Sequence, residues 1–580
     1  ASEISPAQAA HLRALPYVMC EYLHAMGTGP GGIEGYTAQV LPSPRHLGGF
    51  VWEWRDHALA DPRPAAGGAL RYGGDFGETV HDGNFVCDGM VSAASVPSAG
   101  TTAWANAVAP VLATPLADAP GSVLVENRFH TRTTGRLLLT VQALVENSGD
   151  GVRVLRSELP DLAPGESEVI EVGGLAEAIE DLRGSADGEA VHVLAAVLDP
   201  LVPGAPDDGP VQVDPATGAA LLRQVGRDED GLRVMSTRET ALTTAPVTAA
   251  AVPRVSGLAA AVDAVTDDAV SRLTDGALDL GAGLHLAADG RTLTLGGVAL
   301  TGPAVTAWRA PTDNDEGHGP VEYWTRPPAA AGLGLGGGEG GWGLPSSADR
   351  WRQARLHLLT ERHVSTRLEA SNGPDGARVV SAVVTSRASA PNAAWHLDVT
   401  TRVTPERGGV RLRTTILPSG PLPPVLPRLG VRLGLPSSLS SATWTGTGPA
   451  PSYADLTGAL RHGVFTGDVD ELWQQPVRPQ EGGTRPGLRS LWLDGGGLRA
   501  MVLVPRGLPT SFSLSPWSLE NLTAAEHVEE LERDEHLWLH LDALHHGIGT
   551  RSCGPDVRPE AAAAPRPVVV EAWIGVQAAG

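Results

Sequence analysis

The stretch Pro16-Tyr17-Val18-Met19-Cys20-Glu21-Tyr22-Leu23-His24-Ala25-Met26-Gly27 decides how the first part of this 580-residue chain is read. An apolar run at 16–20 ends in a carboxylate, a histidine follows three residues later, and Gly27 permits a sharp turn. A second apolar run, 49–54, is separated from the first by about 30 residues that have room for one short helix; proline limits it across 37–45. Short continuous apolar runs with a helix between them predict buried parallel strands. Glu21 then stands at the C-terminal end of its strand, where parallel α/β barrels carry their chemistry. A carboxylate there serves as nucleophile or general base; a structural pairing with arginine is the alternative. For His24 the plain alternative is a hydrogen-bonded partner near a strand end.

Further along, the texture changes. Valine-rich alternating segments at 122–129, 135–145, 167–172 and 191–198, separated by Gly, Pro and Asp turns, predict a β-sandwich. An Ala-rich stretch bounded by proline at 248–265 reads as an interdomain connection. From 279 onward short strands recur at 284–287, 292–295, 409–415, 431–435 and 538–541, and 327–343 reads as a glycine-rich loop. The expected architecture is therefore mainly β. It comprises an α/β segment with parallel strands over residues 1–115, an immunoglobulin-like sandwich over 116–250 and a large β-sandwich over 251–580.

Composition narrows the function. The 43 basic residues, all arginine, against 66 acidic ones leave a net charge of −23, which argues against nucleic acid and anionic membrane surfaces as partners. Three cysteines, Cys20, Cys87 and Cys553, make neither a disulfide framework nor a zinc pattern. With no signal-like start and no run of eighteen apolar residues, a reducing cytoplasm is the expected compartment. Tryptophan supplies 14 of the 26 aromatic residues, which fits flat platforms for sugars and fits core packing equally well.

The first stretch, with Gly48-Gly49-Phe50-Val51-Trp52-Glu53-Trp54 and Tyr72-Gly73-Gly74-Asp75-Phe76-Gly77 in the same order and spacing, resembles the large bacterial β-galactosidases of glycoside hydrolase family 2. Arg309-Ala310-Pro311-Thr312-Asp313-Asn314-Asp315 resembles that family's mobile active-site loop, and His546-Gly547-Ile548-Gly549 matches a motif near the family's C-terminus. The resemblance covers essentially the whole chain. It implies the C-terminal part of a (β/α)8 TIM barrel followed by the two sandwiches. It also implies a retaining enzyme that removes terminal β-D-galactose from β-galactosides such as lactose. Carried over by motif, Glu21 is the nucleophile, His24 contacts the sugar and Trp54 forms an apolar wall. Phe85, through its carbonyl, and Asp88 hold sodium, although the family typically has Asn at the latter position. The loop with Asp313, Asn314 and Gly317 closes over the sugar, with Gly317 and Gly319 as hinges. Cys553 stands roughly where the best-known members place a tryptophan platform, which implies a smaller acceptor subsite.

One element is missing. Retention needs two carboxyl groups about 5 Å apart, and the family's acid/base glutamate follows an asparagine. No Asn-Glu pair occurs in this sequence, and the reversed Glu520-Asn521 lies far from the barrel motifs. The acid/base and the magnesium ligands are thus expected upstream of this chain. Homo-oligomer formation or pairing with an N-terminal half is the expected assembly. A non-catalytic carbohydrate-binding or scaffolding relic and one half of a split enzyme are the alternative readings.

Overall fold

The computed structural model describes residues 10–579, except 13, 64–67, 146–152, 186–189, 204–231, 243–270, 273–275, 282, 320–343, 373–377, 407 and 475. The expected connection at 248–265 and loop at 327–343 lie outside the described residues.

The strand Tyr17–Tyr22 pairs in parallel with His46–Val51, with Tyr17 opposite His46 and Tyr22 opposite Val51. The helix Ile33–Val40 crosses between them, short as the prolines require. Gly49 is needed for the close approach of the two strands: a Cβ there would lie 2.9 Å from Met19 Cβ. The strands are parallel but not buried. Tyr17, Val18, Leu47 and Phe50 are exposed, because among the described residues no further strand flanks this two-stranded sheet. A second helix, Ala99–Ala107, begins with Ser98 as N-cap in a reciprocal capping box with Thr101, which satisfies two of the helix's orphan donors.

Next come a three-stranded sheet (Val111–Pro115, Ser122–Asn127, Ser167–Glu171) and a four-stranded sheet (Leu138–Val145, Arg153–Glu158, Val191–Pro203, Leu232–Leu242). Their inward residues, among them Val123, Val125, Leu139, Val141, Val193 and Val197, share one core with Leu175, Ile179 and Leu182 of the helix Leu175–Ser185. The expected alternation shows directly in Ser122–Asn127, where intermediate and buried residues alternate, as a sheet with one covered face demands.

The remainder is an eight-stranded and a nine-stranded sheet around a large Leu/Val core. Every segment expected as a strand after 279 falls in one of them: Leu284–Leu286, Thr292–Leu295, Arg428–Pro436 and His536–His545 in the first, Gly409–Ser419 in the second. Six tryptophans, Trp308, Trp351, Trp395, Trp444, Trp473 and Trp573, are buried in cores. Leu23 and Ile33 of the first segment pack with Tyr453, Leu456 and Ile548 of this last unit. That shared core brings the end of the first strand to the 546–554 segment. Among the described residues no helix is long and apolar enough to cross a membrane.

Candidate active site

Glu21 is the penultimate residue of the first strand and is exposed at its end. Leu23 follows with φ +53° and is fully buried. A left-handed non-glycine residue is uncommon, and this one turns the chain so that His24 passes inward beneath the strand end. The backbone N–H of Ala25 then donates to Trp52 O at 2.9 Å, tying the turn to the end of the second strand.

His24 is 4% exposed. Its Nδ1 lies 2.8 Å from Ser552 Oγ, its Nε2 lies 3.4 Å from Asp88 Oδ2, and its ring centroid is 5.3 Å from that of Phe85. Asn314 Oδ1 accepts from both the backbone N–H of Ser552 (3.1 Å) and its hydroxyl (2.8 Å). With its single proton used on Asn314, the Ser552 hydroxyl accepts from Nδ1–H of His24. One hydroxyl thus joins the barrel segment, the 312–319 loop and the 546–554 segment.

Asp88 is 3% exposed and accepts the Trp52 indole N–H at 3.0 Å through Oδ2, while Oδ1 is buried without a hydrogen-bond partner. Glu53 lies beside it. Burial, then the Asp88 charge, raises the Glu53 carboxyl above its ordinary range, and His57 Nε2 sits 3.0 Å away. Asp56 is pushed up to about 6, chiefly by burial, although it accepts Gly89 N–H at 2.8 Å. Burial also raises Asp313. Its carboxylate is held by Asn84 Nδ2 (2.8 Å) and Gln480 Nε2 (2.7 Å), with Arg478 at 3.5 Å.

Trp54 is 59% exposed and stands edge-on to Trp104, ring centroids 6.4 Å apart. Trp104 is in turn fixed by its indole N–H donating to Tyr22 Oη at 3.0 Å. An apolar wall open to solvent and backed by a second indole is the result. Burial first, then the charges of Glu21 and Asp88, raises the Cys553 thiol; Cys553 directly follows Ser552, which meets His24.

The loop is a one-turn helix, Asp313–Glu316, capped by Thr312 in a reciprocal box with Asp315. Arg309, fully buried, grips Asp315 through two hydrogen bonds (3.0 and 2.7 Å) and donates to the carbonyls of His546 (2.8 Å) and Gly547 (2.9 Å). Gly317 and Gly319 have a steric role here. Gly317 has φ −69°, which any residue adopts. A Cβ on Gly317 or Gly319 would fall 2.3 Å from Arg551 O or Gly554 O respectively, so these glycines permit close approach to the 551–554 turn.

The structure therefore brings His24, Phe85, Asp88, Asn314 and Cys553 together at the end of the first strand, with Asp313 and Gly317 docking the loop. Ser552, Asn84 and Gln480 were not singled out by sequence; the site partners of each lie 167 to 528 residues away, so no local pattern marks them. Glu520 is exposed in the first turn of the helix Leu519–Ala524, capped by Ser518, as an incidental Glu-Asn pair requires.

Two family models match the chain: Glycosyl hydrolases family 2, TIM barrel domain, over residues 5–111, and Beta galactosidase small chain, over residues 284–572. The chain belongs to glycoside hydrolase family 2. A β-galactosidase of Arthrobacter sp. strain B7 is 33% identical over 96% of this chain and 50% of its own length. A β-galactosidase of Kluyveromyces lactis is 26% identical over 93% of this chain and 45% of its own length. The chain spans about half the length of the curated relatives it matches. Among solved structures, the galactosidase domain of an α-galactosidase-sucrose kinase aligns at a TM-score of 0.21 and 8% identity over 38% of this chain and 28% of its own, too weak a likeness to carry any argument. The family 2 barrel match covers the strand pair and the Glu21–Asp88 cluster; the small-chain match covers Asp313, Gln480 and Ser552.

Proposed function

We propose that this chain supplies the nucleophile half of a retaining β-galactosidase. The observation that carries the reading is the convergence of His24 and Asp88 from the barrel segment with Asn314 and Ser552 from the large sandwich, joined by the Ser552 hydroxyl, with His24 three residues along the chain from Glu21 at the strand end. Glu21 attacks the anomeric carbon as the bond to the aglycone oxygen breaks. An acid supplied from outside this chain protonates that oxygen. Water then attacks the galactosyl ester, giving its proton to the same group, now a carboxylate, and Glu21 is released.

His24 contacts the sugar, Trp54 supplies the apolar wall, and the loop of Asp313, Asn314 and Gly317 covers them. Cys553 leaves an acceptor subsite without an aromatic platform. Asp88 Oδ1, buried and unpartnered, suits a hard cation; sodium would be held by it and the Phe85 carbonyl. When bound, the ion offers positive charge to sugar oxygens. Magnesium ligands are assigned outside this chain. The exposed apolar faces of Tyr17, Val18, Leu47 and Phe50 favour pairing with the rest of a barrel over a free-standing sugar-binding relic, since such faces and open strand edges are an association liability.

The test is hydrolysis of a chromogenic β-galactoside by the purified chain with magnesium and sodium, alone and with an N-terminal fragment of a related enzyme. Inactivity alone, activity on addition of the fragment, and its loss in Glu21→Gln are expected. Wild-type turnover by Glu21→Gln would refute the assignment.

A further inference from the structure

Gln480 is 1% exposed, and both ends of its amide are used. Oε1 accepts from the backbone N–H of Asp313 (3.1 Å) and of Thr28 (3.3 Å). Nε2 donates to Asp313 Oδ2 (2.7 Å) and to the carbonyl of Arg478 (3.1 Å). The next carbonyl, Glu481 O, accepts the Thr28 hydroxyl at 2.5 Å. At Gly27, φ +65°, a Cβ would fall 2.3 Å from Gln480 Oε1 and 2.5 Å from Asp313 Oδ2.

Three segments therefore meet on one side chain: the turn after the first strand, the 312–319 loop, and the stretch around residue 480. Only an amide fits this position. A carboxylate has no N–H for Asp313 and sets a second negative charge against it. A hydrocarbon leaves two buried N–H groups and a carboxylate oxygen short of partners, each a cost of about 1–3 kcal/mol in general.

We propose that Gln480 is a positioning residue that holds the 312–319 loop docked, so that Asn314 stays on Ser552 and Ser552 on His24. Its consequence for turnover rests on the β-galactosidase reading above. The loop's own attachment does not.

Hydrogen–deuterium exchange on the 580-residue chain tests it with Gln480→Glu and Gln480→Met, the second adding no charge. Losing hydrogen bonds to a charged group predicts about 10- to 100-fold faster exchange for amides of residues 313–317 and of Ser552. The strand His536–His545 should exchange as before. Unchanged loop exchange in Gln480→Met overturns the proposal, as does acceleration spread equally over that strand in both variants, which would mark a merely structural role. In the completed enzyme, Gln480→Met is expected to raise KM about tenfold with kcat little altered. An unchanged KM beside a loosened loop overturns the link to sugar binding. Absence of turnover by the wild-type completed enzyme refutes the β-galactosidase reading and leaves the exchange result to decide the role of Gln480.

Discussion

Asp542 offers a sharp test of how the interior of the large sandwich is held. It is 1% exposed on the strand His536–His545, 3.1 Å from Arg428, and neither carboxylate oxygen has a hydrogen-bond partner of good geometry. Burial raises its pKa from 3.8 to about 7, against the opposing pull of Arg428, with Glu481 adding to the rise. A carboxyl whose folded pKa exceeds its unfolded value binds more protons when folded. Its contribution to stability is therefore full below pH 4 and lost as pH rises through 7. The whole loss is about 4 kcal/mol, and roughly half of it or a little more falls between pH 5 and 8. Asp542→Asn removes this dependence while Arg428 keeps Glu481 at 3.5 Å. Urea denaturation of both proteins at pH 5, 6, 7 and 8 gives the difference in unfolding free energy, in which all other titrations cancel. The variant should gain on the wild type by about 2–3 kcal/mol across that range. A difference constant to within about 0.5 kcal/mol, the scatter of ordinary surface substitutions, would refute the argument that Asp542 is desolvated without adequate pairing.

Three further outcomes follow from the same reasoning. Asp315→Ala strands the buried Arg309 guanidinium and removes half of a capping box; a loss of about 3–5 kcal/mol is expected in the denaturation midpoint analysis, and Asp315→Asn should cost less because it can still cap. Gly317→Ala introduces no backbone strain but a Cβ 2.3 Å from Arg551 O, so exchange of the loop amides should rise by the equivalent of about 1–3 kcal/mol of overpacking, with global stability held. Glu239→Ala removes the carboxylate that accepts from His462 N–H (2.5 Å) and meets His192 (2.6 Å) beside the buried Arg461; proteolytic cleavage near residues 191–203 and 461–468 should become at least about tenfold faster, consistent with an unpaired buried charge.

The architecture was legible where it rests on local pattern. Two apolar runs with a short proline-limited spacer could form only a parallel pair with a brief helix, and alternating valines could form only half-covered strands. Burial of that first pair was not legible, because apolar composition records the surface a strand is built to cover and not whether the covering element belongs to the same chain. Tryptophan abundance left sugar platforms and core packing equally open: among the described residues Trp52 and Trp54 are exposed while six others are buried in cores. Among candidate site residues, Glu21 and His24 could be singled out because they stand in one contiguous motif. Ser552 could not: its partner His24 is 528 residues away.

The loop shows why contiguous motifs and distant supports behave so differently. Thr312 and Asp315 close a single helical turn by themselves, but a four-residue helix is far below the length that is stable alone. What holds it is tertiary: Arg309 from below, Gln480 and Asn84 on Asp313, Ser552 on Asn314, and the carbonyls of the 551–554 turn packed against glycine. Each support comes from a different part of the chain, so the loop's position reports whether the barrel segment and the large sandwich are correctly docked. A site assembled this way ties the proposed sugar binding to the integrity of that interface, and a substitution there should reach His24 before it reaches Glu21, since Glu21 stands exposed at the strand end while His24 Nδ1 meets Ser552, itself fixed by Asn314.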